Sequence, residues 1–307
     1  MIDLHLHLDG SLDADFVVNE YKAQGIDLPC PEKEFGTLLK SKAVKSLNEY
    51  LKAFEYPLNV LQTKSAIAAA YVSLLDKLDV CKLAYAEIRF APQLHTRKGL
   101  AQQDVVEAVL KARDNADNIV KNNLILCCMR GDGNDKENAE TIELARAYKG
   151  QGVVGVDLAG AEALFPTAKY KELFKRAASY GIPITVHAGE AAGSDSVYAA
   201  IDMGARRIGH GVRIKDDIDL LKLIAREGIG IEMCLTSNID THAISGIDEF
   251  PILKYLDMGI LASVNTDDMT VSDTTVDKEF ELLKTIGVND GIKRKLIANA
   301  FETRFGD

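Results

Sequence analysis

Within its first ten residues the chain reads IDLHLHLDG, which sets His5 and His7 two apart with Asp9 close behind. On a β-strand, residues two apart project from the same face, so these two imidazoles can share one metal ion. Neutral imidazole nitrogens suit Zn²⁺, a carboxylate oxygen can join them, and a catalytic zinc keeps one position open for water. Ligand-type residues recur later in short clusters: Asp157-Leu-Ala-Gly160, His187-Ala-Gly-Glu190, Gly209-His210-Gly211 and Asn265-Thr-Asp267-Asp268. His187 and Asp267 are the natural candidates to complete a site begun by His5 and His7. Taken singly, such residues have plainer roles: a His-x-His pair on a strand is more often structural, and a lone His or Asp at a strand end more often caps or hydrogen-bonds. Four of the six histidines fall in these clusters. Only convergence of the clusters on one place favours the metal.

The elements around them provide that convergence. Short apolar runs, each followed by Gly, Asp or Asn, predict strands at 3–8, 83–90, 124–129, 153–158, 182–187, 206–211, 229–234 and 260–265. Helical patterns lie between them, among them 104–122 and 168–181, the second stopped by Gly181 with Pro183 two residues on. Strands alternating with helices read as βα units around a parallel sheet, and eight of them close a barrel. A doubly wound sheet shares the local pattern, but no GxGxxG opens a helix after the first strand. The expected fold is therefore α/β, a (β/α)8 TIM barrel forming one domain over residues 1–307. Extra helices are expected in the long interval 11–80, where 46–62 would lie over the C-terminal mouth. In such a barrel the clusters, all at strand ends, line one bowl, the face that carries catalysis.

Composition narrows the partners. With 47% hydrophobic and 27% charged residues, the chain can bury an ordinary globular core. Its net charge of -10 argues against a nucleic-acid or anionic-membrane surface but not against an uncharged small molecule. The first apolar run is interrupted by Asp3, His5 and His7, so neither a signal peptide nor a membrane helix is expected there. Five cysteines with no CxxC pair fit reduced thiols in the cytoplasm.

Around a single metal the other residues acquire roles. The fourth strand, GVVGVDLAG, has no lysine that could bridge two ions, so one metal is expected. Zinc can bring the pKa of bound water to about 7, and His210 could orient the resulting hydroxide. Glu190, three residues past His187, could move a proton to the group under attack. Its alternative role is a glutamate at a helix N-terminus. Asp268 cannot easily share the metal with adjacent Asp267 and is read as a substrate contact. Gly160 either lets the backbone approach a flat ligand or serves a strand-to-helix turn.

The segments HLHLDGSL, DLAGAE, VHAGE, IGHG and NTDD, in this order, resemble the adenosine deaminase family of the amidohydrolase superfamily over residues 2 to about 270. That resemblance implies one Zn²⁺ per subunit and hydrolytic conversion of adenosine or 2′-deoxyadenosine to inosine or 2′-deoxyinosine, with ammonia released. It implies a small-molecule purine nucleoside as the partner, with no nucleic acid or membrane, and leaves the oligomeric state open. Carried over by position, it makes His5, His7, His187 and Asp267 the zinc ligands, Glu190 the proton donor to purine N1, and His210 the residue that orients the hydroxide. Asp268 would bond purine N7, Gly160 purine N3, and Asp9 a ribose hydroxyl. Tyr50, Leu51 and Phe54 of YLKAFEY would belong to a helical lid, although that apolar stripe also suits core packing. Adenine-specific relatives tend to carry Glu at the position of Asp9, and a carboxylate there would repel a 5′-phosphate. Met269 stands where many relatives have proline, and Thr241-His242 where bacterial members often have Thr-Gly. These departures keep adenine or a 5′-modified adenosine as the alternative substrate. Nothing matches the HxE…PCxxC signature of the other zinc deaminases.

Overall fold

Runs rich in Val, Ile, Leu and Ala form eight strands, buried almost throughout, as expected when both faces of a parallel sheet are covered. They are β1 (Ile2–His7), β2 (Tyr85–Phe90), β3 (Lys121–Met129), β4 (Val153–Ala159), β5 (Thr185–Ala188), β6 (Arg207–His210), β7 (Gly230–Met233) and β8 (Leu261–Val264). This computed structural model describes residues 1–40 and 46–307. The strands pair in parallel as β1-β2-β3-β4 and β5-β6-β7-β8. Two bridges join the halves, Val156 with Ile184 and Leu6 with Asp267. At the second seam His7 N–H donates to Asp267 O and Asp267 N–H donates to His5 O, both at 2.8 Å. The sheet is thus closed, with no free edge. The seam also sets Asp267 beside the two histidines of β1.

Helices follow the strands and bury their apolar stripes against the barrel. The helix Lys64–Val80 buries Ile67, Tyr71, Leu74 and Leu78, and the helix Gln102–Asn115 buries Val105, Val106 and Val109. These side chains belong to one apolar cluster that includes residues from Leu6 to Leu296. All eight expected strands form, within a few residues of their anticipated limits. The helix anticipated over 104–122 ends earlier, at Asn115. In the DNADN stretch, Asp and Asn favour turns over helix. Asp79 also draws the chain out of the helix by accepting the N–H groups of Ile119 (2.9 Å) and Val120 (2.8 Å). The 168–181 pattern resolves into a 3₁₀ turn, Thr167–Tyr170, and the helix Lys171–Ser179.

Between β1 and β2 the interval 11–80 carries several helices, apart from residues 41–45, which lie outside the described residues. Three short ones run on without a break: Leu47–Tyr50, the 3₁₀ turn Leu51–Phe54 and Glu55–Val60. Ser46 caps the first by accepting from Glu49 N–H at 3.3 Å. Among the described residues, no helix is long and apolar enough to cross a membrane.

Candidate active site

The C-terminal strand ends bring four ligand atoms together. His5 Nε2 lies 3.0 Å from His187 Nε2 and 3.1 Å from Asp267 Oδ1. His7 Nε2 lies 3.2 Å from His187 Nε2 and 3.3 Å from the same carboxylate oxygen. A tetrahedral ion with ligand bonds of 2.0–2.1 Å would require edges of about 3.3 Å, close to these separations. Proton placement points the same way. His5 Nδ1 donates to Glu232 Oε2 at 2.7 Å, and His187 Nδ1 donates to Asp157 Oδ2 at 2.9 Å. The carboxylates accept from Nδ1, so both rings turn their Nε2 atoms toward each other at contact distance. Burial also keeps His7 in its neutral form. Three imidazole nitrogens and one carboxylate oxygen gathered at these separations suit a divalent ion of the zinc kind.

A buried arginine holds this arrangement from below. Arg89 of β2 donates through Nη1 to Asp157 and through Nη2 to Glu232, both at 2.9 Å, and through Nη2 to Leu4 O at 2.6 Å. One guanidinium therefore orients both carboxylates that orient His5 and His187. Two glycines make room. A Cβ on Gly209 would stand 2.8 Å from His5 Cε1, and one on Gly10 would stand 1.7 Å from Asp268 Oδ1. Asp267 itself has φ +62° and His210 φ +68°, left-handed backbone that costs energy for non-glycine residues. Asp267 is held there by its two seam hydrogen bonds and by Ser237 Oγ, which donates to its Oδ2 at 2.6 Å.

Glu190 and His210 face each other, with Glu190 Oε2 3.7 Å from His210 Nε2. Burial, with the charges of Asp267 and Glu162, raises the Glu190 carboxyl to about 8, against partial opposition from Thr241 and His5. A neutral Glu190 carries a proton at neutral pH, and its Oε1 is buried without a partner. Asn238 Nδ2 lies 3.0 Å from His210 Nδ1. An amide nitrogen only donates, so the ring proton sits on Nε2, which also has no partner. Glu162 of the DLAGAE segment anchors the loop: it accepts the N–H groups of Gly189 (2.8 Å), Glu190 (3.1 Å), Ala191 (2.6 Å) and Ala192 (2.9 Å), and the Ser196 hydroxyl.

A cavity of about 230 Å³ opens above these groups, lined by His7, Asp9, Tyr50, Leu51, Phe54, Gly160, His187, Glu190, His210, Asp267 and Asp268. Every expected site residue except His5 lines it, and His5 lies directly beneath, fully buried. Gly160 adopts φ +101°, a conformation that glycine reaches without strain. Burial lifts Asp9 to about 6. Tyr50 is buried and works through Asp268: its hydroxyl donates to Asp268 Oδ2 at 2.9 Å and contacts Ser272 Oγ at 2.8 Å. Asp268 Oδ1 is left buried and unpartnered, and burial beside Asp267 raises this carboxyl well above its ordinary range. Leu51 and Phe54 supply apolar wall. The two departures also have local accounts. Met269 N–H donates to Ser11 Oγ at 3.0 Å, a bond proline could not make. His242 holds φ +57°, where glycine would be unstrained.

Several working residues were not assigned roles from sequence: Arg89, Asp157, Glu232, Ser237, Asn238, Glu162, Gly10 and Gly209. For two of them a signal existed, since Arg89, with Glu87, in YAEIRF and Glu232 in IGIEMC are charges inside otherwise apolar strand runs. A charge there must find a buried partner.

A closed parallel barrel with a His-x-His pair on its first strand, a third histidine on the fifth and an aspartate after the eighth defines a barrel hydrolase of the amidohydrolase kind. Within that class the chain belongs to the adenosine deaminase family, which it matches over residues 1–307. An adenosine deaminase of Haemophilus ducreyi is 44% identical over 291 residues, covering 92% of this chain and 85% of that protein. Among solved structures, the adenine deaminase of Arthrobacter aurescens is similar with a TM-score of 0.91 at 27% identity, covering 100% of this chain and 94% of that one. An amidohydrolase from Burkholderia ambifaria, solved with bound Zn, shares the fold with a TM-score of 0.89 at 21% identity, over 100% and 85% of the two chains.

Proposed function

We propose that this chain is a cytoplasmic enzyme, a single barrel domain over residues 1–307, that hydrolytically deaminates adenosine and 2′-deoxyadenosine with one zinc ion per subunit. The observation that carries the reading is the gathering of His5, His7, His187 and Asp267 beside a buried Glu190, whose carboxyl is raised by burial to about 8, at one cavity. These four residues would hold the ion. When bound, it supplies the Lewis acidity that activates water at neutral pH.

The remaining steps belong to the chain. Asp268 Oδ1 and the Gly160 backbone hold the purine at N7 and N3, which sets C6 toward the ligand cluster. Glu190 gives its proton to N1 and makes C6 electrophilic. His210 Nε2–H hydrogen-bonds the attacking oxygen, its orientation fixed by Asn238. Leu51 and Phe54, with the helices over 47–60, act as a lid that excludes water, and Tyr50 ties that lid to Asp268. The short Asp9 side chain leaves room for a ribose and bonds its hydroxyl, which favours a nucleoside over adenine and, through its charge, over a 5′-phosphate.

Purified protein assayed against adenosine, 2′-deoxyadenosine, adenine, AMP and a 5′-thioether adenosine, alongside metal analysis, tests this directly. Ammonia release is expected from the first two, with about one zinc per chain. A zinc-loaded sample inert toward every 6-aminopurine nucleoside refutes the activity. A higher kcat/KM for adenine or the thioether refutes the substrate assignment alone.

A further inference from the structure

Below the ligand cluster, toward the opposite end of the barrel, lies a second set of buried charges with no role in the steps above. Glu232 Oε2 serves His5 and Arg89, while its Oε1 accepts from Thr185 Oγ1 at 3.0 Å and from Arg207 Nε. Arg207, buried on β6, also donates to Glu87 of β2 and, through Nη1, to Thr303 O at 3.0 Å. Glu87 Oε1 accepts Phe305 N–H (2.6 Å), Gly306 N–H (3.2 Å) and the Tyr85 hydroxyl (2.9 Å). The Phe305 ring covers the Arg207 guanidinium, 3.6 Å from carbon to ring centroid. It also fits over Gly155 of β4, where a Cβ would stand 2.7 Å from the ring.

We propose that Arg207 and Phe305 are positioning residues for the metal centre, acting through Glu232 on His5. One guanidinium satisfies two carboxylates in a dry interior, where each ion pair is stronger than in water. Phe305 keeps that interior dry. Without its ring, water reaches the Arg207 contacts and weakens the Arg207–Glu232 pair, leaving Thr185 and Arg89 as the remaining holds on the carboxylate that bonds His5 Nδ1. Partners one shell out from a ligand commonly change metal affinity 10- to 100-fold. Phe305, farther out, should act at the lower end of that range.

The test uses F305A, F305Y and R207K proteins loaded with zinc, with metal transfer to excess chelator timed while the protein stays folded. The Co²⁺-substituted forms report ligand geometry through their d–d absorption. F305A is expected to release zinc about tenfold faster and to shift the cobalt band, with F305Y restoring both. R207K should change both in the same direction, because an ammonium cannot span Glu87 and Glu232 as the planar fork does. An F305A protein with the parental release rate and cobalt band overturns the inference. So does faster release that merely tracks loss of folded protein by circular dichroism. The inference rests on the metal-site reading, and the two fail differently: parental protein that takes up no stoichiometric zinc refutes the site, whereas normal loading with indifferent variants refutes the positioning role.

Discussion

Glu190 is a carboxylic acid sealed away from water near two other carboxylates, and its chemistry follows from that placement. Burial first, then Asp267 and Glu162, holds its proton to about 8, whereas an exposed glutamate would lose it near 4.5. In the proposed mechanism the active form is the protonated one, so activity is expected below that value and lost as pH rises through it. kcat/KM should be level near pH 7 and fall about tenfold per unit well above pH 8. A profile still flat at pH 9.5 would place the proton elsewhere. Glu190→Gln should keep its zinc while turnover drops about 10²- to 10⁴-fold. Gly10 is the second informative residue, because any side chain there collides with Asp268 Oδ1. Gly10→Ala should lower kcat/KM for adenosine by about tenfold, the worth of one recognition hydrogen bond. It should also shrink the preference for adenosine over 7-deazaadenosine, which lacks N7. An undiminished preference would show that Asp268 does not read that atom.

At the scale of elements, the loop after β5 depends on one carboxylate. Glu162 takes four successive backbone N–H groups, Gly189 to Ala192, which a glutamine with its single acceptor oxygen cannot reproduce. Glu162→Gln should cost about 1–3 kcal/mol in denaturant unfolding and reduce turnover as well, since Glu190 sits within the braced loop. Parental stability together with parental turnover would show that the loop holds its shape unaided. The eight strands were legible because each is a short apolar run with a clear stop. The helix over 102–115 was read too long because its end is set by Asp79, a residue from the preceding helix. Propensity within the segment carried too little of that information.

At the scale of the molecule, the barrel is closed by the same residue that completes the ligand cluster. Asp267 bonds the backbone of β1 on both sides while its side chain meets His5 and His7. The proposed metal binding and barrel closure would therefore be coupled. Removing the proposed ion should leave three imidazoles and a carboxylate crowded without their shared partner, and lower the thermal midpoint. Free zinc at 1,000 times its Kd contributes about 4 kcal/mol of stability by mass action. Differential scanning calorimetry with chelator and with restored zinc measures this, and an unchanged midpoint after verified metal loss would mean the site is preformed without the ion.

The sequence by itself determined the strand count, the order of the ligand-type clusters and which residues, His5, His7, His187, Asp267, Glu190 and His210, would be gathered at one mouth. Strand periodicity and strand-end position are local properties, and a barrel sends all its strand ends to one mouth. Tertiary structure alone decided what holds those residues in place. Arg89 reaches Asp157 and Glu232 across 68 and 143 residues of chain, and Tyr50 reaches Asp268 across 218. Partnerships of that span leave no trace in local spacing. The two glycines show the same limit: Gly10 and Gly209 are needed because distant side chains, Asp268 and His5, occupy the space a Cβ would fill.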